Sequence, residues 1–158
     1  MIFVTVGTHH QPFTRLVESL SALDADELVL QHGPASPPPG IAHAAAYMPF
    51  DEMLERFQAA EKVITHAGVG SILCATRAGH TPLVVPRRHD LGEHVDEHQA
   101  ELTRALAERG SVIAVWDVAE LPRLLEDAPV RQSRPEATGE KPICGAVRAA
   151  LLGAPRDS

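Results

Sequence analysis

Lysine is nearly absent from this chain. Of 158 residues only Lys62 and Lys141 are lysines, and the other basic residues are scattered arginines. With a formal net charge of -7, this excludes a protein built on nucleic-acid backbone contacts, which need clustered Lys and Arg. No apolar run reaches the roughly 18 residues that a membrane span requires. The N-terminal Met-Ile-Phe-Val-Thr-Val is too short for the apolar region of a signal peptide and stops at Gly7-Thr8. Any membrane association is therefore expected to be peripheral or through a partner. Cysteine is scarce too. Cys74 and Cys144 lie in separate patterns with no CxxC spacing, and both read as reduced, small apolar residues of a cytoplasmic protein. Neither HExxH nor G-x-S-x-G occurs, and the single Asp-x-Asp match, Asp24-Ala25-Asp26, precedes a strand and reads as an exposed loop.

What remains is an ordinary soluble composition, 44% apolar and 22% charged, in a length that suits one compact domain rather than two. The β-favouring run 2–6 predicts a first strand. Helical spacing follows over 12–23, through Phe13, Leu16, Val17, Leu20 and Leu23. Residues 27–31 read as a second strand and the proline-rich stretch 32–40 as a loop. A short third strand is expected at 44–48. Asp51 then reads as the N-cap of a helix that turns Met53, Leu54 and Phe57 inward.

The stretch 62–86, KVITHAGVGSILCATRAGHTPLVVP, carries the most information. An apolar run ends at Thr65, and a glycine-bearing turn, His66-Ala67-Gly68-Val69-Gly70-Ser71, follows. A helical pattern then begins (Ile72, Leu73, Thr76), with Ser71 a candidate N-cap, and a second apolar run (Leu83, Val84, Val85) closes at Pro86. This is one βαβ unit. Its turn aims free backbone N–H groups and the positive end of a helix dipole above the sheet, a site suited to an anion such as a nucleotide diphosphate. The same two glycines also suit a tight turn and close helix–strand packing with no ligand.

Further on, 87–93 reads as a polar loop and a helix is expected from Val95 or Asp96 to Arg109, stopped by Gly110. Residues 112–115 read as a strand and 118–125 as a short helix around Pro122. The Pro-, Glu-, Arg- and Ser-rich stretch 127–142 reads as a flexible connector, and 143–152 as a last helix before the tail. The division is thus a domain at 1–126, a connector at 127–142, and a C-terminal helix and tail at 143–158. Apolar strands alternating with helices predict an α/β, Rossmann-like parallel sheet with helices on both faces. Ligands of such sheets bind beyond the carboxyl ends of the strands. Three loops should therefore share one rim: Gly7-Thr8, 66–71 and 86–98.

Those loops carry a resemblance. FVTVGT (3–8), ITHAGVGSIL (64–73), PLVVPRR (82–88) and GEHVDEHQAEL (92–102), in this order and spacing, resemble the C-terminal, donor-binding half of GT-B glycosyltransferases of family 28. The likeness covers roughly residues 1–125. It looks closest to free-standing versions of that half: the soluble subunit of the split enzyme that extends dolichol-diphosphate-linked N-acetylglucosamine, and bacterial counterparts in exopolysaccharide synthesis.

The resemblance implies a UDP-sugar donor. The backbone of Gly68, Val69, Gly70 and Ser71, beside His66 and Ala67, would hold the diphosphate, with Gly7 and Thr8 across the rim. No metal or cofactor is implied if helix dipole and N–H groups neutralise the leaving UDP, a case of electrostatic preorganisation. His98 and Gln99 match the pair that touches the donor sugar in the family. Arg87 and Arg88 could pair with donor phosphate or an acidic sugar, or be exposed rim charges. The cluster His89, His94 and His98 with Glu93 or Asp96 also has spacing suggestive of zinc, or of a solvated helix start. The sequence departs from the family at Cys74, where full-length relatives place the acidic residue that binds the ribose hydroxyls.

The resemblance also implies a second half that binds the acceptor and supplies the catalytic base. The expectation is a donor-binding subunit of a two-component inverting glycosyltransferase. A membrane-anchored partner would present a lipid-linked acceptor, placing this chain peripherally at the inner face of the membrane. Residues 143–152 are the segment assigned to docking, or else pack back on their own sheet. Two rivals remain: a nucleotide-binding regulatory module without transferase activity, and a hydrolase using His66 and Ser71, which the missing nucleophile elbow disfavours.

Overall fold

The computed structural model describes residues 1–91 and 98–131. Strands β1 (Ile2–Thr5), β2 (Leu28–Gln31), β3 (His43–Ala45), β4 (Lys62–His66), β5 (Leu83–Val85) and β6 (Ile113–Ala114) form one sheet. Its order is β3-β2-β1-β4-β5-β6, and every neighbouring pair is parallel. The helices are α1 (Thr14–Ser19), α2 (Phe50–Ala59), α3 (Val69–Arg77), α4 (His98–Glu108) and α5 (Leu121–Asp127).

The four central strands, β2, β1, β4 and β5, are buried on both faces, so their side chains sort by alternation into two cores. On one face Val4, Leu28, Leu30, Ile64, Leu83 and Val85 meet Leu16 and Val17 of α1 and Leu121 and Leu125 of α5. On the other, Phe3, Val29 and Val63 pack on Phe57 of α2 and Ala75 of α3, while Val84 packs on Ile72 and Leu106 of α3 and α4. Helices on both faces are therefore as the alternating pattern predicts.

Strand order makes β1 the pivot. The chain builds outward from β1 to β2 and β3, then returns to β4 on the other side and continues to β5 and β6. At such a reversal the connections leave β1 and β4 toward opposite faces, which opens a crevice at their carboxyl ends. Register brings Thr5 level with Gln31 on one side and with Thr65 on the other.

Several element bounds differ from expectation. The helix expected over 12–23 is α1 followed by a 3-10 turn, Leu20–Ala22. The third strand is His43–Ala45 rather than 44–48, because residues 46–48 turn away toward the crevice mouth. Asp51 does not cap α2. Pro49 holds that position and Asp51 sits in the first turn, where its charge still suits the helix dipole. Ser71 does not cap α3 either. The helix begins three residues earlier than expected, at Val69, with Gly68 in extended conformation at the N-cap.

The expected helix at 118–125 is a 3-10 turn, Val118–Glu120, running into α5 with Pro122 in the first turn, where its missing N–H costs nothing. The start of the expected 95–109 helix, most of the 127–142 connector and the whole 143–152 helix lie outside the described residues. The described start of the connector is anchored: the Arg131 main-chain N–H donates to the Glu61 carbonyl at 2.8 Å and its guanidinium donates to the Ala78 carbonyl.

Candidate functional site

At the reversal lies a cavity of about 400 Å³. One wall comes from the loops after β1 and β4: Gly7, Thr8, His66, Gly68, Gly70 and Ser71. The other comes from the end of β3 and from α2, chiefly Tyr47, Met48, Phe50, Met53 and Phe57, with Gln31 and Cys74 completing the lining. The first wall is rich in main-chain polar groups and the second is apolar. Tyr47 is 53% and Phe50 67% exposed, so two aromatic rings stand at the mouth rather than in the core.

The polar wall is built by α3. Its first intrahelical bond runs from Ile72 N–H to the Gly68 carbonyl at 3.0 Å. The amides of Val69, Gly70 and Ser71 therefore precede the hydrogen-bonded ladder, as the first amides of any helix do. They carry the positive end of the dipole. No acidic residue occupies that first turn, so nothing there opposes an anion.

His66 determines the shape between the two glycine loops. Its imidazole lies where a Cβ on Gly7 or on Gly68 would have to sit, so both positions are confined to glycine by the same ring. Gly7 additionally has φ +77°, the left-handed region that other residues enter at a cost. Gly70 differs: a Cβ there would meet nothing within 4 Å. Its hydrogen faces open space at the cavity. The Ser71 hydroxyl lies 3.4 Å from His66 Nε2, at the long end for a hydrogen bond. That places the serine beside the ring rather than at the cap.

The structure brings together six of the eleven residues singled out from sequence: Gly7, Thr8, His66, Gly68, Gly70 and Ser71 all line the cavity. Ala67 and Val69 belong to the same turn, but their side chains pack against Ile72 and Val84. Neither lines the cavity.

Arg87 does not line the cavity. It is completely buried. Its guanidinium donates to the carbonyls of Gln11 at 2.9 Å and Val6 at 3.3 Å and lies 4.6 Å from the centre of the Phe13 ring. It braces the loop after β1. Arg88 pairs with Asp90. Gln99 uses its side-chain oxygen to accept the Arg87 N–H at 3.0 Å. His98 is exposed at the first residue of α4. Neither His98 nor Gln99 lines the cavity. His94 and Asp96 lie outside the described residues, and among the described residues no group of His, Cys, Asp and Glu could hold a metal.

Sequence reasoning missed the apolar wall and Gln31. A tyrosine and a phenylalanine flanking Pro49, just after a strand, were a readable hint. Gln31 was not readable, because one amide at a strand end has no spacing pattern. Cys74 lies in the cavity, half-buried. Burial pushes its thiol above the ordinary cysteine value, with Arg77 opposing the shift.

A parallel sheet of this order, with a glycine turn and a helix N-terminus at its point of reversal, defines a doubly wound, Rossmann-like α/β domain. The chain belongs to the glycosyltransferase family 28 C-terminal domain, whose profile matches residues 1–144. The match runs past the roughly 1–125 that the resemblance covers. It makes this the sugar-donor-binding domain of a glycosyltransferase, with a nucleotide-sugar as donor. No curated protein and no solved structure matches the chain.

Proposed function

We propose that the donor is a UDP-sugar. The diphosphate would lie on the Val69, Gly70 and Ser71 amides, and the base against the apolar wall of Tyr47, Met48, Phe50 and Met53. The observation that carries this reading is the pairing, in one cavity, of a helix N-terminus whose first turn holds no acidic residue and an aromatic wall at the mouth. The first part neutralises an anion without a metal, and the second offers a flat apolar surface to a base. The amides and dipole that bind the diphosphate also stabilise charge on it as it leaves. In this inverting transfer the acceptor hydroxyl attacks the anomeric carbon as the bond to the diphosphate breaks, and a base on the acceptor side takes the hydroxyl proton.

We assign the acceptor side to a membrane-anchored partner subunit that presents a lipid-linked acceptor in polysaccharide or glycolipid synthesis. The chain itself would act peripherally at the inner face of the membrane. No described helix is long and apolar enough to cross a membrane, which is compatible with that arrangement. Residues 143–152, apolar at Val147, Ala150 and Leu151, are the proposed docking segment. Truncation from Lys141 onward should abolish co-purification with the partner, and unchanged co-purification would remove the docking role.

Calorimetric titration of the purified chain with UDP, against ADP and GDP and with and without magnesium, tests the donor. UDP-selective binding that magnesium does not change supports the reading. Equal affinity for the three nucleotides would contradict it. Sugar transfer that requires the partner, an acceptor and a UDP-sugar separates a transferase from the rival regulatory module, which would bind UDP and transfer nothing.

A further inference from the structure

β2 reads Leu-Val-Leu-Gln and is buried throughout. Three of those residues are what a strand covered on both faces requires. The fourth is not. Gln31 is 2% exposed, and a buried primary amide must find partners for two hydrogens and two lone pairs or lose stability.

All four are met, and three of the four bonds join Gln31 to cavity loops. Its Oε1 accepts from the Thr5 hydroxyl and from the Gly7 N–H, the latter at 3.1 Å. Its Nε2 donates to the carbonyl of Gly7 at 2.9 Å and to that of Ala46 at 2.7 Å. One side chain therefore grips both main-chain polar groups of Gly7, the left-handed residue of the polar wall, and ties them to the residue before Tyr47 on the apolar wall. Strand pairing does not provide this link. The ladder between β1 and β2 closes with Val6 N–H on the Gln31 carbonyl at 3.2 Å, one residue short of Gly7. Although Gln31 lines the cavity, its amide is saturated by protein groups. It can act on a ligand only through the loops it holds.

We propose that Gln31 is a positioning residue of the donor cavity, setting the separation of the Gly7 loop and the Ala46–Tyr47 segment; its effect on affinity rests on the UDP reading above.

The test uses the full chain with Gln31→Met, which keeps length and loses all four bonds. Gln31→Glu keeps the acceptor but turns an oxygen toward the Gly7 and Ala46 carbonyls. It serves if the first variant does not fold. Amide hydrogen exchange and UDP calorimetry are read at a temperature where the variant is folded. Exchange at Gly33, whose N–H donates to the same Ala46 carbonyl at 2.9 Å, should quicken roughly tenfold, and exchange at Gly7, whose N–H also donates to the Thr5 hydroxyl at 3.2 Å, by less. Exchange at Val84 and Val85 should stay unchanged. UDP affinity should fall roughly tenfold. Equal acceleration in β5, or loosened loops with unaltered UDP affinity, would overturn the proposal. If the unsubstituted chain takes no UDP, the nucleotide reading fails. The exchange pattern then decides alone whether Gln31 holds the two loops.

Discussion

The His66 imidazole occupies the space that a side chain on Gly68 would need. Gly68 to Gly70 therefore forms a turn whose two glycines are glycines for different reasons, and substitution separates them. Gly68→Ala drives a methyl into the ring and should cost about 1–3 kcal/mol, the usual penalty for overpacking a tight site. Gly70→Ala meets nothing and lies in the first turn of α3. It should leave stability unchanged or raise it by about 0.5 kcal/mol, since alanine is the better helix former. Gly70→Asp should likewise fold, yet bind no UDP, because a carboxylate then stands where the proposed diphosphate would lie. Urea melts paired with UDP titration check all three. A Gly70→Asp chain that binds UDP normally would place the diphosphate elsewhere.

Arg87 gives a prediction of the opposite kind. Its substitution should act on the fold rather than on a ligand contact. Arg87→Met leaves the buried carbonyl of Val6 and the part-buried carbonyl of Gln11 without this donor. Because an unsatisfied buried acceptor costs about 1–3 kcal/mol, the variant should lose about 2 kcal/mol or more in a urea melt. Arg88→Ala, whose ion pair with Asp90 is solvent-exposed, should lose about 0.5 kcal/mol or less.

His80 supplies a pH dependence. It is buried and its Nε2 lies 2.7 Å from the Phe57 carbonyl. Burial lowers its pKa, the bond to Phe57 opposes this, and the Arg131 charge adds to the lowering. The folded value is thus below the unfolded one, and the unfolded chain binds more protons between the two. The associated stability is fully present above about pH 6.5 and is lost as pH falls through the folded value. Denaturation midpoints measured downward from pH 7 should fall less steeply for His80→Gln than for the unsubstituted chain. Identical slopes would show that His80 is not the group responsible.

Cys74 reports on the cavity directly. Because burial raises its thiol pKa, little thiolate is present at neutral pH, and alkylation should be slower than that of a free cysteine. Since Cys74 lines the cavity, saturating UDP should slow it further. A Cys144→Ser background removes the second thiol. An alkylation rate indifferent to UDP would mean that nucleotide does not fill this end of the cavity.

Much of the fold was legible because the strands are apolar on both faces. Runs such as Val4, Leu30, Ile64 and Val84, each bounded by glycine, proline or polar residues, mark buried parallel strands without reference to anything distant. The ends of elements were less legible. Ser71 and Asp51 both have good N-cap chemistry, and neither is a cap. Main-chain geometry before them, Gly68 in extended conformation and Pro49 with its fixed φ, starts each helix earlier. The polar half of the cavity was also readable, since a glycine turn between strand and helix is local.

The sequence by itself determined the alternation of strands and helices, and with it the rim on which Gly7, Gly68 and Gly70 meet. Periodicity and turn chemistry are properties of neighbouring residues. The tertiary structure alone decided what each polar side chain does there. Arg87, a charged residue in a polar loop pattern, turns inward to carbonyls contributed 81 and 76 positions earlier in the chain. Gln31, an unremarked strand end, clamps Gly7 from 24 positions away. A buried donor must reach an acceptor wherever the fold has placed one, and which acceptor is nearest is fixed only once the sheet has brought distant strands together.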